Sequence, residues 1–213
     1  MSFLRSTDRR RARTEDEKDA RRASLVSAGR SMLAARGLDD IKIAEVASEA
    51  GVAKGTAYLY FSSKEALFLS VFAAEITAWF DQLDAMLTAG GGRDDLAREI
   101  ARSLACNPVL LDLMTQLHVR LEANASDEEI RAFKQLLRSR LNDLAAKLEA
   151  WLEWPAGSGE GFFLSANALI IGLAQICRPP GRVRAIIEAD PDLPPVADFE
   201  TACAEGLRAL LAE

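Results

Sequence analysis

The sequence predicts an all-α protein, an N-terminal three-helix helix-turn-helix domain followed by a C-terminal helical bundle. Three observations predict it. Apolar residues recur at helical spacing along most of the chain, no window alternates with the two-residue period of a strand, and glycines, prolines and Ser/Asp caps punctuate the periodic runs.

Residues 1–14 hold Arg5, Arg9, Arg10, Arg11 and Arg13 with almost nothing apolar to bury, so they read as a flexible basic arm, either solvated or laid against DNA. From Glu15 a helical period begins: Leu25, Val26, Gly29, Met32 and Leu33 share one face, and Gly37 is placed to end the helix. A short helix over Ile43 to Ala50 presents Ile43, Val46, Ala47 and Ala50 to one side. Gly51 then breaks the period before a second short helix, Lys54 to Phe61. Two short helices across a glycine turn outline a helix-turn-helix.

Ser62 and Ser63 suit an N-cap, and Lys64 to Leu87 keeps Leu67, Val71, Ile76, Trp79, Phe80, Leu83 and Leu87 in register. Gly90, Gly91 and Gly92 stop it; without the Lys and Ser/Thr of a phosphate-binding loop, they read as a plain loop. Helices follow over Asp94 to Ala105 and, opened by Asn107 and Pro108, over Val109 to Ala123, with Leu110, Leu113, Met114, Leu117 and Leu121 as a stripe. Ser126 to Glu129 forms a capping box for a long helix with Ile130, Phe133, Leu137, Leu141, Leu144, Leu148 and Trp151 on its seam, closed by Pro155 and the Gly157-Ser158-Gly159 cluster. Phe162 to Cys177 is apolar almost all round, which predicts cover on every side. A proline-rich connection, Pro179 to Pro195, leads to a last helix with Phe199, Cys203, Leu207 and Leu210 in register. The domain reading is therefore 1–14, 15–64 and 65–213.

The chain has 213 residues, 49% hydrophobic and 27% charged, enough apolar content for a sizeable core. Its net charge of −6 is unevenly spread, residues 1–64 carrying +4 and residues 65–213 carrying −10. That is a basic head on an acidic body. Phe162 to Cys177, broken by Ser165, Asn167 and Gln175, reads as shorter than a membrane span, and no apolar stretch follows the early arginines within signal-peptide reach. The expectation is a cytoplasmic protein with no membrane partner. Cys106, Cys177 and Cys203 lie at unrelated separations and read as small core or interface residues, not a disulfide framework or metal site. One histidine, no nucleophile elbow, no metal-ligand spacing and no dinucleotide fingerprint argue against an enzyme, and no cofactor or metal is expected.

The run from Ile43 to Leu67, with its Gly51-Val52-Ala53-Lys54-Gly55-Thr56-Ala57-Tyr58-Leu59-Tyr60-Phe61-Ser62-Ser63-Lys64 core, resembles the DNA-binding domain of the tetracycline-repressor (TetR) family of bacterial transcription regulators. The resemblance covers residues 20 to 70. In that reading Lys42, Ala53, Lys54, Gly55, Thr56, Tyr58, Leu59, Tyr60 and Lys64 contact DNA. Lysines neutralise phosphates, tyrosine hydroxyls reach them from stiff side chains, and Thr56 addresses base edges from a helix that enters the major groove. Gly55 removes a side chain where a backbone must approach DNA. For Tyr58 and Tyr60 packing alone is the other reading. Lys42 stands where the family often has a capping threonine, Gly29 where it usually has alanine, and Leu59 where many members carry a polar or aromatic contact.

The resemblance also implies a homodimer on a palindromic operator, a small-molecule effector that releases it, and a four-helix dimer interface built from the last two long helices. Ser165, Ala168, Gly172 and Gln175 on the first of these, with Phe199, Cys203, Leu207 and Leu210 on the second, are the interface candidates. Trp79, Phe80, Met114, His118, Phe133, Phe163 and Asn167, aromatic, soft or polar positions on apolar helices, are the pocket candidates, with His118 expected to be half-buried. The rival reading is a helical protein-interaction adaptor whose helix-turn-helix has lost DNA binding, motivated by Leu59 and the missing threonine.

Overall fold

The computed structural model describes the backbone of residues 3–212 and the side chains of residues 16–212; the helix expected from Glu15 begins at Phe3, so the backbone of residues 3–14, read as a flexible arm, is helical, and its arginine side chains lie outside the described ones. Among the described residues there is no strand. The helices are α1 (Phe3–Ala35), α2 (Ile43–Glu49), α3 (Lys54–Ala57), α4 (Lys64–Ala89), α5 (Arg93–Ala105), α6 (Pro108–Gln116), α7 (Asp127–Leu152), α8 (Ser158–Cys177), α9 (Gly181–Ala189) and α10 (Phe199–Ala212). They group into two compact units, residues 1–71 with 119–130, and residues 72–118 with 131–213.

In the first unit α1 packs on α2 and α2 on α3. Leu25, Leu33, Val46, Ala47, Ala57 and Phe61 form its core, each at most 5% exposed. Gly51 adopts φ +69, the left-handed conformation that turns the chain between α2 and α3. Gly37 does not end α1 in that way: its φ is −66 and it leads into a 3-10 turn at Leu38–Asp40. Lys42 makes no side-chain cap on α2. Instead the Glu45 carboxylate accepts the Lys42 N–H at 2.9 Å, and this bond, with Arg36 at 3.4 Å, holds Glu45 below the usual carboxylate range. Ser63 caps α4 by accepting the Ala66 N–H at 3.0 Å.

Residues 119–130 join this unit through polar contacts. Ser62 donates to Glu129 at 2.9 Å, Ser63 to the Asn124 carbonyl at 3.0 Å, and Arg120 pairs with Asp39. The stripe expected as one helix from Val109 to Ala123 is not continuous: α6 stops at Gln116 and the ladder widens into a π-helical turn, Leu117–Leu121, then a 3-10 turn, Glu122–Asn124. Asn107 and Pro108 cap the start of α6 as the sequence implies, Asn107 accepting the Leu110 N–H at 3.2 Å.

In the second unit α10 packs against α5 and α8, and α8 also against α6. Phe199, Cys203 and Leu207 belong to this core at 7%, 0% and 0% exposure. They face their own chain, so they leave the interface list, while Leu210 is half-buried. The helical stripe was legible; which surface it fills depends on which neighbour covers it. Cys177 is buried and Cys106 exposed, which removes Cys106 from the core.

Helix α7 ends on Glu153 at φ +57, with the Trp154 N–H bonded to the Glu149 carbonyl at 2.9 Å, a Schellman closure using glutamate where glycine is usual. The Glu149 carboxylate then accepts the N–H groups of Gly157 and Gly159, both at 2.8 Å. This cap starts α8 at Ser158, four residues before the apolar run. A Cβ on Gly159 would lie 2.9 Å from Ala145, so only glycine lets α7 and α8 approach there. With 20 residues and a mean hydropathy of 1.5, α8 reaches the length and hydropathy of a membrane span, as does α4 at 26 residues and 1.3; 28% and 56% of these apolar windows are buried in the structure. The length argument made for Phe162 to Cys177 therefore fails.

Within one chain, cover on α8 is one-sided. Phe162, Ala166, Ile170, Ala174 and Cys177 are buried, but Leu164 and Ile176 are 72% and 69% exposed. Ser165, Ala168 and Gln175 are exposed and Gly172 is half-buried, so the small and polar face is open. Helix α9 lies inside what the sequence suggested was a proline-rich connection, and it buries no residue.

Candidate nucleic-acid interface and effector cavity

Helix α3 is a single turn, shorter than the Lys54 to Phe61 stretch the periodicity implies, yet the chain keeps turning beyond it. The Leu59 and Tyr60 N–H groups bond to Thr56 and Ala57 carbonyls at 3.1 Å, and the Phe61 N–H reaches Ala57 O at 3.0 Å. Tighter three-residue bonds at Leu59 and Tyr60 and a four-residue bond at Phe61 continue the turn. Ala57 and Phe61, four apart, are 0% and 2% exposed and fix the inner face.

The opposite face is left to solvent. Ala53, Lys54 and Gly55 are exposed, Tyr58 is 48% and Leu59 83% exposed, and Thr56 and Tyr60 are half-buried. No atom lies within 4 Å of where a Gly55 Cβ would project, so a phosphate backbone can approach this turn. Lys42 is exposed at the start of α2. Lys64 is half-buried and donates from Nζ to the Leu38 carbonyl at 3.0 Å, which commits one of its three donors to the 3-10 turn.

Arg22 is a residue that motif reading passes over. Its guanidinium sits 5.2 Å from the Phe61 ring centre and donates to Ser70 at 2.8 Å, clamping the residue that anchors the turn. Its only sequence signal is its place one helical turn before Leu25 on α1.

The second unit holds a cavity of about 520 Å³ between α4, α6, α7 and α8, within the range of about 300–1,000 Å³ that takes drug-sized ligands. Trp79, Phe80, Met114, His118, Phe163 and Asn167 line it, and the structure brings these six pocket candidates together. Phe133 is not among the lining residues; it is 4% exposed and packs on Phe72 with ring centres 5.3 Å apart. Trp79 donates from its indole nitrogen to Ser103 at 2.9 Å, which fixes the ring as a wall. His118 is exposed, not half-buried, and lies in the π-helical turn. Lys134, Arg138, Asn142 and Glu160 also line the cavity, and sequence reading missed them because charged residues on a helix look like a solvated face.

No group of histidine, cysteine or acidic residues suited to a metal ion occurs among the described residues. Cys203 has its thiol pushed up to about 12, first by burial and then by neighbouring Cys177.

Comparison with known proteins also divides the chain near residue 72, but places residues 119–130 with the C-terminal part. Residues 25–71 match the model for bacterial regulatory proteins of the tetR family, and residues 73–212 match that for a tetracyclin repressor-like C-terminal domain. The fatty acid metabolism regulator protein of Bacillus subtilis is 28% identical over 124 residues, 56% of this chain and 62% of that protein. The HTH-type transcriptional repressor KstR of Rhodococcus jostii is 31% identical over 114 residues, 51% of this chain and 52% of its own length. The chain thus spans between half and two thirds of these curated relatives. Thermus thermophilus FadR, a TetR-family transcriptional repressor solved with lauroyl-CoA, shares the fold at TM-score 0.58 and 22% identity, over 89% of this chain and 93% of that one. With one family model on the helix-turn-helix and another on nearly all of the remaining body, the chain belongs to the TetR family of bacterial regulatory proteins.

Proposed function

We propose that this chain is a ligand-responsive transcriptional repressor that acts in the cytoplasm, binding a palindromic DNA operator as a homodimer and leaving it when a small molecule fills the cavity between α4, α6, α7 and α8. The observation that carries the reading is the two-sided turn at α3: Ala57 and Phe61 lock it inward while Lys54, Gly55, Tyr58 and Leu59 face out. A buried anchor with an exposed cation, a tyrosine hydroxyl and a bare glycine suits a major groove. Lys42, Ala53, Thr56, Tyr60 and Lys64 complete the proposed DNA surface, Lys64 through the donors that Leu38 leaves over.

One such turn touches few bases, and two-fold symmetry doubles them at half-sites about 34–36 Å apart. The open face of α8, Ser165, Ala168, Gly172 and Gln175, is built of small and polar residues that admit a second helix closely. Leu210, half-buried on α10, is the remaining interface candidate. Effector and operator then oppose each other by linkage, each lowering the affinity of the other by the same factor. The cavity's apolar walls favour an organic effector, in keeping with the lauroyl-CoA seen in Thermus thermophilus FadR.

The test is recovery of genomic fragments from competing genomic DNA by the full chain, with a Lys54→Ala/Tyr58→Ala double variant as control. Enrichment of one palindrome by the wild type alone is the expected result. Equal recovery of all fragments, or enrichment that survives the double substitution, contradicts the reading, and the first outcome favours the adaptor role.

A further inference from the structure

The cavity separates its chemistry by depth. Ile76, Trp79, Phe80, Leu83, Ile100 and Leu207 are all buried and make an apolar interior. The charged and amide residues that line it, Lys134, Arg138, Asn142, Glu160 and Asn167, are all exposed, as is His118, so they form a rim at the solvent side. Lys134, Arg138 and Asn142 follow one another at four-residue steps on α7, which puts them on one face. Two cations and one acid make the rim net positive.

Arg138 differs from Arg140 and Lys147 of the same helix, and shares its lack of a partner with Arg131, which does not line the cavity. Arg140 pairs with Asp81 and Lys147 with Asp84, whereas Arg138 has no ion-pair or hydrogen-bond partner among the described residues. The residues three and four positions away on α7 are Gln135, Leu141, Lys134 and Asn142, none of them acidic. An unpaired guanidinium over an apolar cavity presents five donors in a fixed fork, the geometry that receives a carboxylate or phosphate through two parallel bonds.

From this segregation, and resting on the reading of the cavity as the effector site, we infer that the effector is an anionic amphiphile. Its apolar body fills the Trp79/Phe80 interior, and its carboxylate or phosphate is held at the rim by Arg138, the specificity-determining residue. Lys134 adds positive potential, and the Asn142 and Asn167 amides can donate to the same head. Glu160 at the same rim repels an anionic group placed beside it, which directs the head toward Arg138.

The shared chemistry admits a free carboxylic acid or an acyl conjugate whose phosphates lie outside. Calorimetry on the full chain with laurate, lauroyl-CoA and dodecan-1-ol separates them. At least one of the two anions should bind about tenfold or more tighter than the alcohol, the worth of one charge-assisted pair. Laurate as the tighter binder identifies a carboxylate head and lauroyl-CoA a phosphate head. Arg138→Gln should erase the preference for the anion while leaving dodecan-1-ol affinity and the thermal midpoint of the free protein unchanged, and Arg138→Lys should restore part of it.

Equal binding of alcohol and anions, no binding of either anion, or equal weakening of all ligands by Arg138→Gln overturns the inference. Operator release is measured separately. Anion binding that depends on Arg138 but does not release DNA defeats the effector reading and leaves the site assignment standing. Release by a neutral ligand alone does the reverse.

Discussion

The helix-turn-helix unit and the cavity-bearing unit spend their sequences differently. In the first, the run from Gly51 to Lys64 carries a specific local feature at several positions: a left-handed glycine, a bare glycine, two buried anchors, and between those anchors an exposed Tyr58 and Leu59 and a half-buried Tyr60. In the second, only the apolar period is constrained, and many sequences satisfy it. Local chemistry specifies the head, whereas packing against neighbours specifies the body. The turn and its buried anchors can therefore be read from sequence in one, whereas the neighbours of each apolar residue can only be guessed in the other.

Thiol chemistry sharpens that contrast with the largest expected effect, because all three cysteines lie in the second unit. Cys203, with its pKa pushed up to about 12, carries almost no thiolate at neutral pH, whereas Cys106 is exposed. A disulfide reagent at pH 7.5 should modify Cys106 on the order of a hundredfold faster than Cys203. Comparable rates would mean that the body opens far more readily than its packing implies.

Glycine substitutions should then act with opposite signs in the two units. Gly159→Ala places a methyl 2.9 Å from Ala145 backbone and should lower stability by about 1–3 kcal/mol as α7 and α8 are pushed apart. In the head, a methyl on Gly29 meets Val71 at 3.4 Å and Leu67 at 3.5 Å, ordinary contact, and removes the flexibility penalty of a helical glycine. Gly29→Ala should raise stability by about 1 kcal/mol. Denaturant midpoints at constant slope check both, and a loss at Gly29 would show that the head is packed as tightly as the α7/α8 crossing.

The smallest effect is electrostatic. The hydrogen bond from Arg120, first among the causes, and the charges of Arg120 and Lys64 hold Asp39 below the usual carboxylate range. A depressed folded-state value contributes stability above the unfolded value of about 3.9, and that contribution is lost as pH falls through the lower folded value. The gap between wild type and Asp39→Asn should be full at pH 7 and close below about pH 4, remaining small because the pair is exposed. A gap that widens on acidification would contradict the assignment of Arg120 as its cause.

These differences track what the sequence made legible. Asn107, Ser126 and Gly51 announced their caps and turn because each acts on backbone a few residues away. Trp79, Phe80 and Asn167 stood out as unusual residues on apolar helices, and the cavity gathers them. Phe133 shares that appearance but is spent on Phe72, a choice that only the α4 and α7 packing decides. Cys203 and Leu207 revealed a stripe without revealing whose surface it meets. Arg138 was invisible because its significance lies in what is missing around it. The π-helical turn at Leu117–Leu121 has no signature in the Leu110 to Leu121 spacing, which fits an unbroken α-helix equally well.

The central claim, that the outer face of α3 engages DNA, is tested most directly by the salt dependence of operator affinity for wild type and Lys54→Ala. Each phosphate contact contributes about 0.9 to the slope of log affinity against log salt, so a homodimer losing two such contacts should show a slope shallower by about 1.8, with weaker binding at low salt. An unchanged slope at unchanged affinity would contradict it, and would leave the exposed turn of Lys54, Gly55, Tyr58 and Leu59 without a role on DNA.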